Sequence, residues 1–367
     1  MLLWTLAPMV LLLLLGWYLY AFAMRGLVLV IQNKKTARIV ALIVSGIITL
    51  AAMIAWAFAN VFVIIVLHLY AFLALVDLAS LIIRKICKRE PKVWKIIHRT
   101  AAIPLAVTIA LMTYGSVNIR NVHEVEYTVI TEKSIRTEGY EIALLADIHY
   151  GLLDNGETLH NIAERIEERG VDLVILCGDI VDEKSSREGV TEVFELFGNV
   201  KSTLGTYYVY GNHDRARYSS SADFDEAYLK EAIEKSGVTL LDDKAVTLTD
   251  DLILLGRNDK SIDHAELDEL MQGLDTSKFL LVADHQPYEY EKKAETGIDL
   301  VLSGHTHSGQ IFPFGLFDRL FKGNDLSYGY EQVGSMQAIV TSGVTGWGFP
   351  IRTEGQSEYV FITVKGK

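Results

Sequence analysis

Hydrophobic positions change their pattern near residue 118. Before it they run almost unbroken; after it they come in short runs of four to six, each closed by polar residues. A helix needs about 20 consecutive apolar residues to cross a bilayer. The stretch 2–23 meets that length, and 39–83 has about twice it, with a natural turn near Asn60. The expected spans are therefore 2–23, 39–59, 61–83 and 100–117, the last with Pro104 in its first turns. Beyond them 119–139 reads as a linker and first strand, with 125–130 alternating like a half-exposed strand. From 140 to 367 strand-like runs alternate with amphipathic segments. Strands are expected at 142–146, 173–177, 207–210, 238–241, 252–255, 279–283, 300–303, 336–341 and 359–364. Helices are expected at 158–169, 190–197 and 225–235, the first closed by Gly170 and the last by Gly237. Interleaved strands and helices predict a layered α/β domain.

Charge divides the chain at the same place. Residues 1–118 hold eleven Lys/Arg and only two acids, Asp77 and Glu90, whereas the remainder holds 23 Lys/Arg and 44 acids. So acidic a second part argues against a sequence-independent grip on phosphate backbones, and no nucleic acid partner is expected. Arg25, Lys34, Lys35 and Arg38 are expected between the first two spans. Arg84, Lys85, Lys88, Arg89, Lys92, Lys95 and Arg99 are expected between the third and fourth. Basic loops remain cytoplasmic, so both termini and the acidic domain are expected outside the cytoplasm, in a protein integral to the cell membrane. Ala21-Phe22-Ala23 looks like a signal cleavage site, but no basic flank precedes it, and an uncleaved helix is expected. Asp77 and His68 are the two ionisable residues well inside spans, too few for a transport pathway. Cys87 and Cys177 lie in unrelated settings and predict no disulfide.

Five of the short apolar runs end in metal-ligand chemistry. They lead into Asp147-Ile148-His149, Gly178-Asp179, Gly211-Asn212-His213-Asp214, His285, and Gly304-His305-Thr306-His307. One such block means little. Five in order, each at the end of a strand, allow a sheet to gather carboxylates, imidazoles and an amide at one edge. That donor set suits two divalent cations of the Mn, Fe or Zn type.

In residue type, order and spacing these blocks resemble the calcineurin-like metallophosphoesterase superfamily, over roughly 140–367. Ser303-Gly-His-Thr-His-Ser-Gly-Gln310, with 342–352, is similar to its membrane-associated branch, which includes predicted phosphodiesterases and UDP-2,3-diacylglucosamine hydrolases. Ser308 stands where many relatives have Gly, a departure expected to touch a loop contact and no ligand. The resemblance implies a four-layer αββα sandwich following the bundle of about four transmembrane helices. It implies two metals: Asp147, His149 and His307 on the first, Asn212, His285 and His305 on the second, with Asp179 between them. His213 is implied to face the substrate, stabilising the transition state or protonating the leaving group, and Asp214 to orient His213 or anchor its loop.

The expected activity is metal-dependent hydrolysis of a phosphodiester, phosphomonoester or pyrophosphate bond by a water that the metals activate. A lipid or envelope substrate, such as a UDP-diacylglucosamine-like molecule, fits the tether and the apolar loop 311–321 beside the last ligand. Arg215, Arg217 and Arg257 are candidate phosphate contacts, and 347–352 a candidate pocket wall. The competing reading is a membrane receptor or sensor with a non-catalytic phosphoesterase-like domain; the full motif set argues against it.

Overall fold

The computed structural model describes residues 2–58, 60–88, 91–153, 156–262, 264–321 and 323–367, with the side chains of 2–8 and 57 excepted. Ala59, Arg89 and Glu90, which entered the expected second span and the charge pattern, lie outside the described residues. Two compact units divide between Tyr114 and Gly115.

The first unit is helical: α1 (Leu2–Val30), α2 (Lys34–Ala57), α3 (Val61–Cys87), α4 (Lys92–Thr100) and the start of α5 (Ala102–Asn118). Met9–Val30, Lys34–Trp56 and Val61–Cys87 are each long and apolar enough to cross a membrane. The fourth expected span differs. α5 has 17 residues, and it forms a pair with α4 bent by 55°, so there are three such helices among the described residues, or four if that pair is one span. Asn60, near which the two helices were expected to turn, caps α3 by accepting from Phe62 N.

The basic loops are shorter than expected, because the helices extend into them. Arg25 lies inside α1, not between spans. Its guanidinium donates to both Asp77 oxygens, at 2.5 and 2.8 Å, while Tyr18 Oη donates to Oδ2 at 2.8 Å and His98 Nε2 lies 2.8 Å from Oδ1. Asp77 thus ties α1, α3 and α4 together, the ordinary fate of a carboxylate among apolar helices. His68 Nδ1 meets the carbonyl of Ile64 one turn back.

The second unit runs β1 (Val122–Thr131), β2 (Tyr140–Leu145), α6 (Gly156–Arg169), β3 (Leu173–Cys177), α7 (Arg187–Gly198), β4 (Gly205–Val209), α8 (Glu226–Ser236), β5 (Thr239–Leu240), β6 (Lys244–Thr247) and β7 (Leu252–Gly256). It continues with α9 (Leu267–Met271), β8 (Phe279–Ala283), α10 (Tyr290–Glu295), β9 (Leu300–Ser303), α11 (Phe314–Phe321), β10 (Gly329–Val333), β11 (Met336–Val340) and β12 (Ser357–Gly366). Two six-stranded sheets result, in the orders β1-β12-β2-β3-β4-β5 and β10-β11-β9-β8-β7-β6. β2 to β5 run parallel, as do β7, β8, β9 and β11; the antiparallel pairings lie toward the edges.

Alternation along each strand builds the layers. Ile142, Leu144, Ile175 and Val360 of the first sheet share a dry cluster with Leu254, Leu281, Leu302 and Ile339 of the second. Ala143, Leu145, Val174 and Phe361 face the opposite way, onto Ile162, Val193 and Ile233 of α6, α7 and α8. Leu255, Val282 and Val301 face Leu267 and Tyr290 of α9 and α10. This is the expected αββα order. The pattern did not reveal β6 and β10, which carry exposed polar residues, or the short helices α9 and α10, and 314–321, expected as loop, is helix α11.

Candidate metal centre

Because the strands that carry the ligands are parallel within each sheet, their C-terminal ends share an edge, the usual place for sites in α/β folds. Asp147, Asp179 and Asn212 follow β2, β3 and β4; His285, His305 and His307 follow β8 and β9. All the metal-site residues of the sequence reading arrive there, and none is stranded elsewhere. Asp147, His149 and His307 form one group, and Asp179, His285 and His305 a second; the ligand atoms within each lie no more than 4.8 Å apart. Asp179 Oδ2 lies 3.3 Å from His285 Nε2 and 3.7 Å from His149 Nε2, so one oxygen faces both groups. His307 Nε2 is 3.4 Å from Asp147 Oδ1.

The backbone makes this convergence at a cost. Asp147, His149, Asp179, His305 and His307 all have φ between 43° and 71°, the left-handed region that ordinary residues avoid. Backbone bonds hold them there: Asp147 N donates to Gly178 O and His149 N to Asp179 O, both at 3.0 Å. His305 and His307 would share a face if their segment were a strand; the positive φ at both sends them to different groups. Ser308 also has φ 50°, which accounts for glycine being suited to that position. Gly178 has φ 82°, and a Cβ there would overlap the imidazole of His285, so the close approach it permits is to a ligand ring.

A second layer aims the imidazoles. His285 Nδ1 lies 2.8 Å from Cys177 O, His307 Nδ1 3.3 Å from Thr345 O, and His149 Nδ1 3.4 Å from Asp182 Oδ2. Each contact leaves Nε2 turned to the centre, the arrangement in which a metal-bound histidine is oriented by its other nitrogen. Thr345 O and His307 O are in turn fixed by Arg352, which is fully buried and also donates to Ser342 O at 2.9 Å. Arg352 is thus a strut under the ligand loop, and only Trp347 of the expected pocket wall is substantially exposed, at 46%.

The donor set fits divalent cations. His149 Nε2, His285 Nε2 and Asn212 Oδ1 are buried with no hydrogen-bond partner among the described residues, which is costly unless something else binds them. Charge points the same way. Burial raises the Asp147 carboxyl to about 6, and Asp214 likewise to about 6, with Asp179 adding to both. Burial acts on Asp179 too, but His285, His213 and His149 hold it well below the usual carboxylate range. Burial pushes His305 down to about 3, with His285 beside it contributing.

His213 and Asp214 separate. Asp214 does not orient His213: its carboxylate accepts from the backbone N–H groups of Gly211, Asp179, Ile180 and Val181, at 2.6 to 3.1 Å. It anchors two ligand loops to each other. The acid facing His213 Nδ1 is Glu183, whose oxygens lie at 3.0 and 3.1 Å. Burial pulls His213 down, but Glu183 and Asp179 together raise it above its ordinary value. Glu183 and Asp182 went unread in the sequence, although an acidic pair just after Gly178-Asp179 was the available signal. Two arginines also differ from expectation. Arg257 is 1% exposed and spends its charge on Asp284 and Glu289, and Arg215 pairs with Asp242 and Glu226 over the Tyr210 ring. Arg217 is exposed.

Residues 140–309 match the family model for calcineurin-like phosphoesterases. The second unit therefore carries a domain of that family. The chain is 35% identical, over 62% of its length, to a Helicobacter pylori protein called an uncharacterized metallophosphoesterase, and spans about 60% of that protein. It is 28% identical to a Danio rerio transmembrane protein with metallophosphoesterase domain, covering 83% of this chain and 72% of the relative. Among solved structures a dimetal phosphatase from Danio rerio aligns over 57% of this chain and 88% of its own, at 13% identity and TM-score 0.39.

Proposed function

We propose that the protein is a membrane-anchored, dimetal phosphoester hydrolase. The observation that carries this reading is one oxygen of Asp179, which belongs to one three-residue group and also faces the other, 3.3 Å from His285 and 3.7 Å from His149. Asp147, His149 and His307 would hold one cation and His285, His305 and Asn212 the other, with Asp179 serving both. A pair of divalent cations there supplies Lewis-acid charge for phosphoryl oxygens and an acidified water.

The chain's own residues supply position and a proton. Glu183 accepts from His213 Nδ1–H, which directs the opposite nitrogen, Nε2, outward with a proton for the departing oxygen. Asp214, tied to four backbone N–H groups, keeps the Asp179 and Asn212 loops in register and touches no substrate. Tyr218 and Trp347 rings lie 5.1 and 5.0 Å from the His213 ring and line the side where a leaving group departs. The membrane tether favours a phosphoester carried by a lipid, and with the α4–α5 pair counted as a fourth span the basic helix ends favour an extracytoplasmic domain.

The test is hydrolysis of bis-p-nitrophenyl phosphate by the full chain stripped with chelator and reloaded with Mn, Fe or Zn. Activity should return with metal, and Asp179→Asn should lose more than about 100-fold, since even an outer partner of a ligand is worth 10- to 100-fold. Hydrolysis that survives chelation, or an Asp179→Asn variant with full turnover and full metal content, overturns the proposal. A metal-loaded chain that never turns over supports the sensor reading instead.

A further inference from the structure

Strand sense puts the entry of the second unit and its ligand loops at one edge. β12 runs antiparallel to β2, and β1 parallel to β12, so both begin where β2, β3 and β4 end. That is the edge with Asp147, Asp179 and Asn212. The last turn of apolar α5, which leads into β1, is fixed there: Asn118 Nδ2 donates to Arg352 O at 3.2 Å and Gly355 O at 2.9 Å, and Arg352 N donates to Gly115 O at 3.0 Å.

The same short segment holds α11. Glu354 accepts from Gly315 N at 3.0 Å and from Arg319 Nη2 at 3.1 Å, and Thr353 Oγ1 accepts from Phe312 N at 3.0 Å. Thr353 N and Glu354 N donate back to Gln310 O, three residues after ligand His307. Residues 352–355 therefore join the end of α5, the last ligand loop and α11 into one piece.

α11 turns its apolar side outward. Phe314, Phe317 and Phe321 recur at helical spacing and are 59%, 46% and 79% exposed, with Leu320 at 65%. Its inward side is Gly315, pressed against Glu354 and the Ser308 backbone. Water is a poor solvent for such a patch, which normally marks an interaction surface. Arg319 on α11 is exposed and pairs with Glu354, and Arg120, just past the end of α5, is exposed as well. A short helix with large apolar residues on one exposed side suits a lipid headgroup boundary.

We propose that α11 lies in the interface of the bilayer that the chain's own apolar helices enter, with Phe314, Phe317, Leu320 and Phe321 below headgroup level. The metal-site edge then opens at the membrane surface, and phosphoester lipids reach it without leaving the bilayer. The consequence for substrate rests on the hydrolase reading; the membrane contact does not.

The test uses the full chain in lipid nanodiscs, in a Cys87→Ser background; Cys177 is buried and escapes labelling. Phe317→Cys, Phe321→Cys and Lys235→Cys are each labelled with an environment-sensitive fluorophore. Lys235 ends α8 just before β5, at the opposite sheet edge, and serves as control. Lipids carrying acyl-chain nitroxides should quench roughly half the emission at 317 and 321 and under about a tenth at 235, as expected for side chains 5–10 Å inside the boundary. Iodide in water should give the reverse order. Equal quenching by lipid at all three sites overturns the proposal, whether the face meets water, a second copy or another part of the chain. Neither readout needs turnover, so failure here and failure of the hydrolase reading are distinguishable.

Discussion

Glu183 Oε1 lies 3.0 Å from Nδ1 of His213, and this contact sets which nitrogen of the imidazole faces outward. Glu183→Gln should lower turnover about tenfold while leaving metal content unchanged, with His213→Ala lowering it at least as far. The sign of the pH effect follows from the same contact. Glu183 raises His213, so its removal lets burial pull the imidazole down, and the protonated form is lost at lower pH. The alkaline limb of the pH–rate profile should move to lower pH in Glu183→Gln, measured beside metal analysis of the same sample.

Gly178 gives a test of ligand packing. Alanine there meets both the left-handed backbone, worth about 1–3 kcal/mol, and the His285 ring. Gly178→Ala should bind metal at least about tenfold more weakly, read by titration of the stripped protein with a fluorescent competitor.

Arg257 should behave as a buried structural cation and not as a substrate contact. Arg257→Met leaves Asp284 with Lys293 alone, 2.7 Å away, and Glu289 without its buried partner. Breaking such a buried network costs about 3–5 kcal/mol. The melting temperature should fall while KM for a soluble diester stays within about twofold; a large KM change with normal stability would restore the phosphate-contact role.

Among the helices, Asp77→Ala leaves Arg25 without its carboxylate in an apolar bundle. Thermal unfolding of the first unit in detergent should move to lower temperature. Adding Arg25→Ala should recover part of that loss, since the two residues share one interaction and their effects do not add.

The legible parts of this chain are those in which the local pattern and the structure have one period. The five apolar runs became β2, β3, β4, β8 and β9, because buried parallel strands need continuous Val, Ile and Leu. Edge strands β6 and β10 were not legible: half-solvated and polar, they take their form from pairing with β7 and β11. Arg25 was misplaced for a related reason. Its charge marked a loop, but Asp77 compensates it inside a helix, and a pairing across 52 residues leaves no trace in local hydropathy.

Residue type and order along the chain sufficed to list the candidate donors, because carboxylate, imidazole and amide groups suit divalent cations whatever the fold that carries them. Which candidate donors lie together, which acid faces His213, and where α11 turns its phenylalanines were decided only in three dimensions. Those relations depend on positive φ values, on strand sense and on contacts between segments far apart in the chain, none of which one-dimensional spacing encodes.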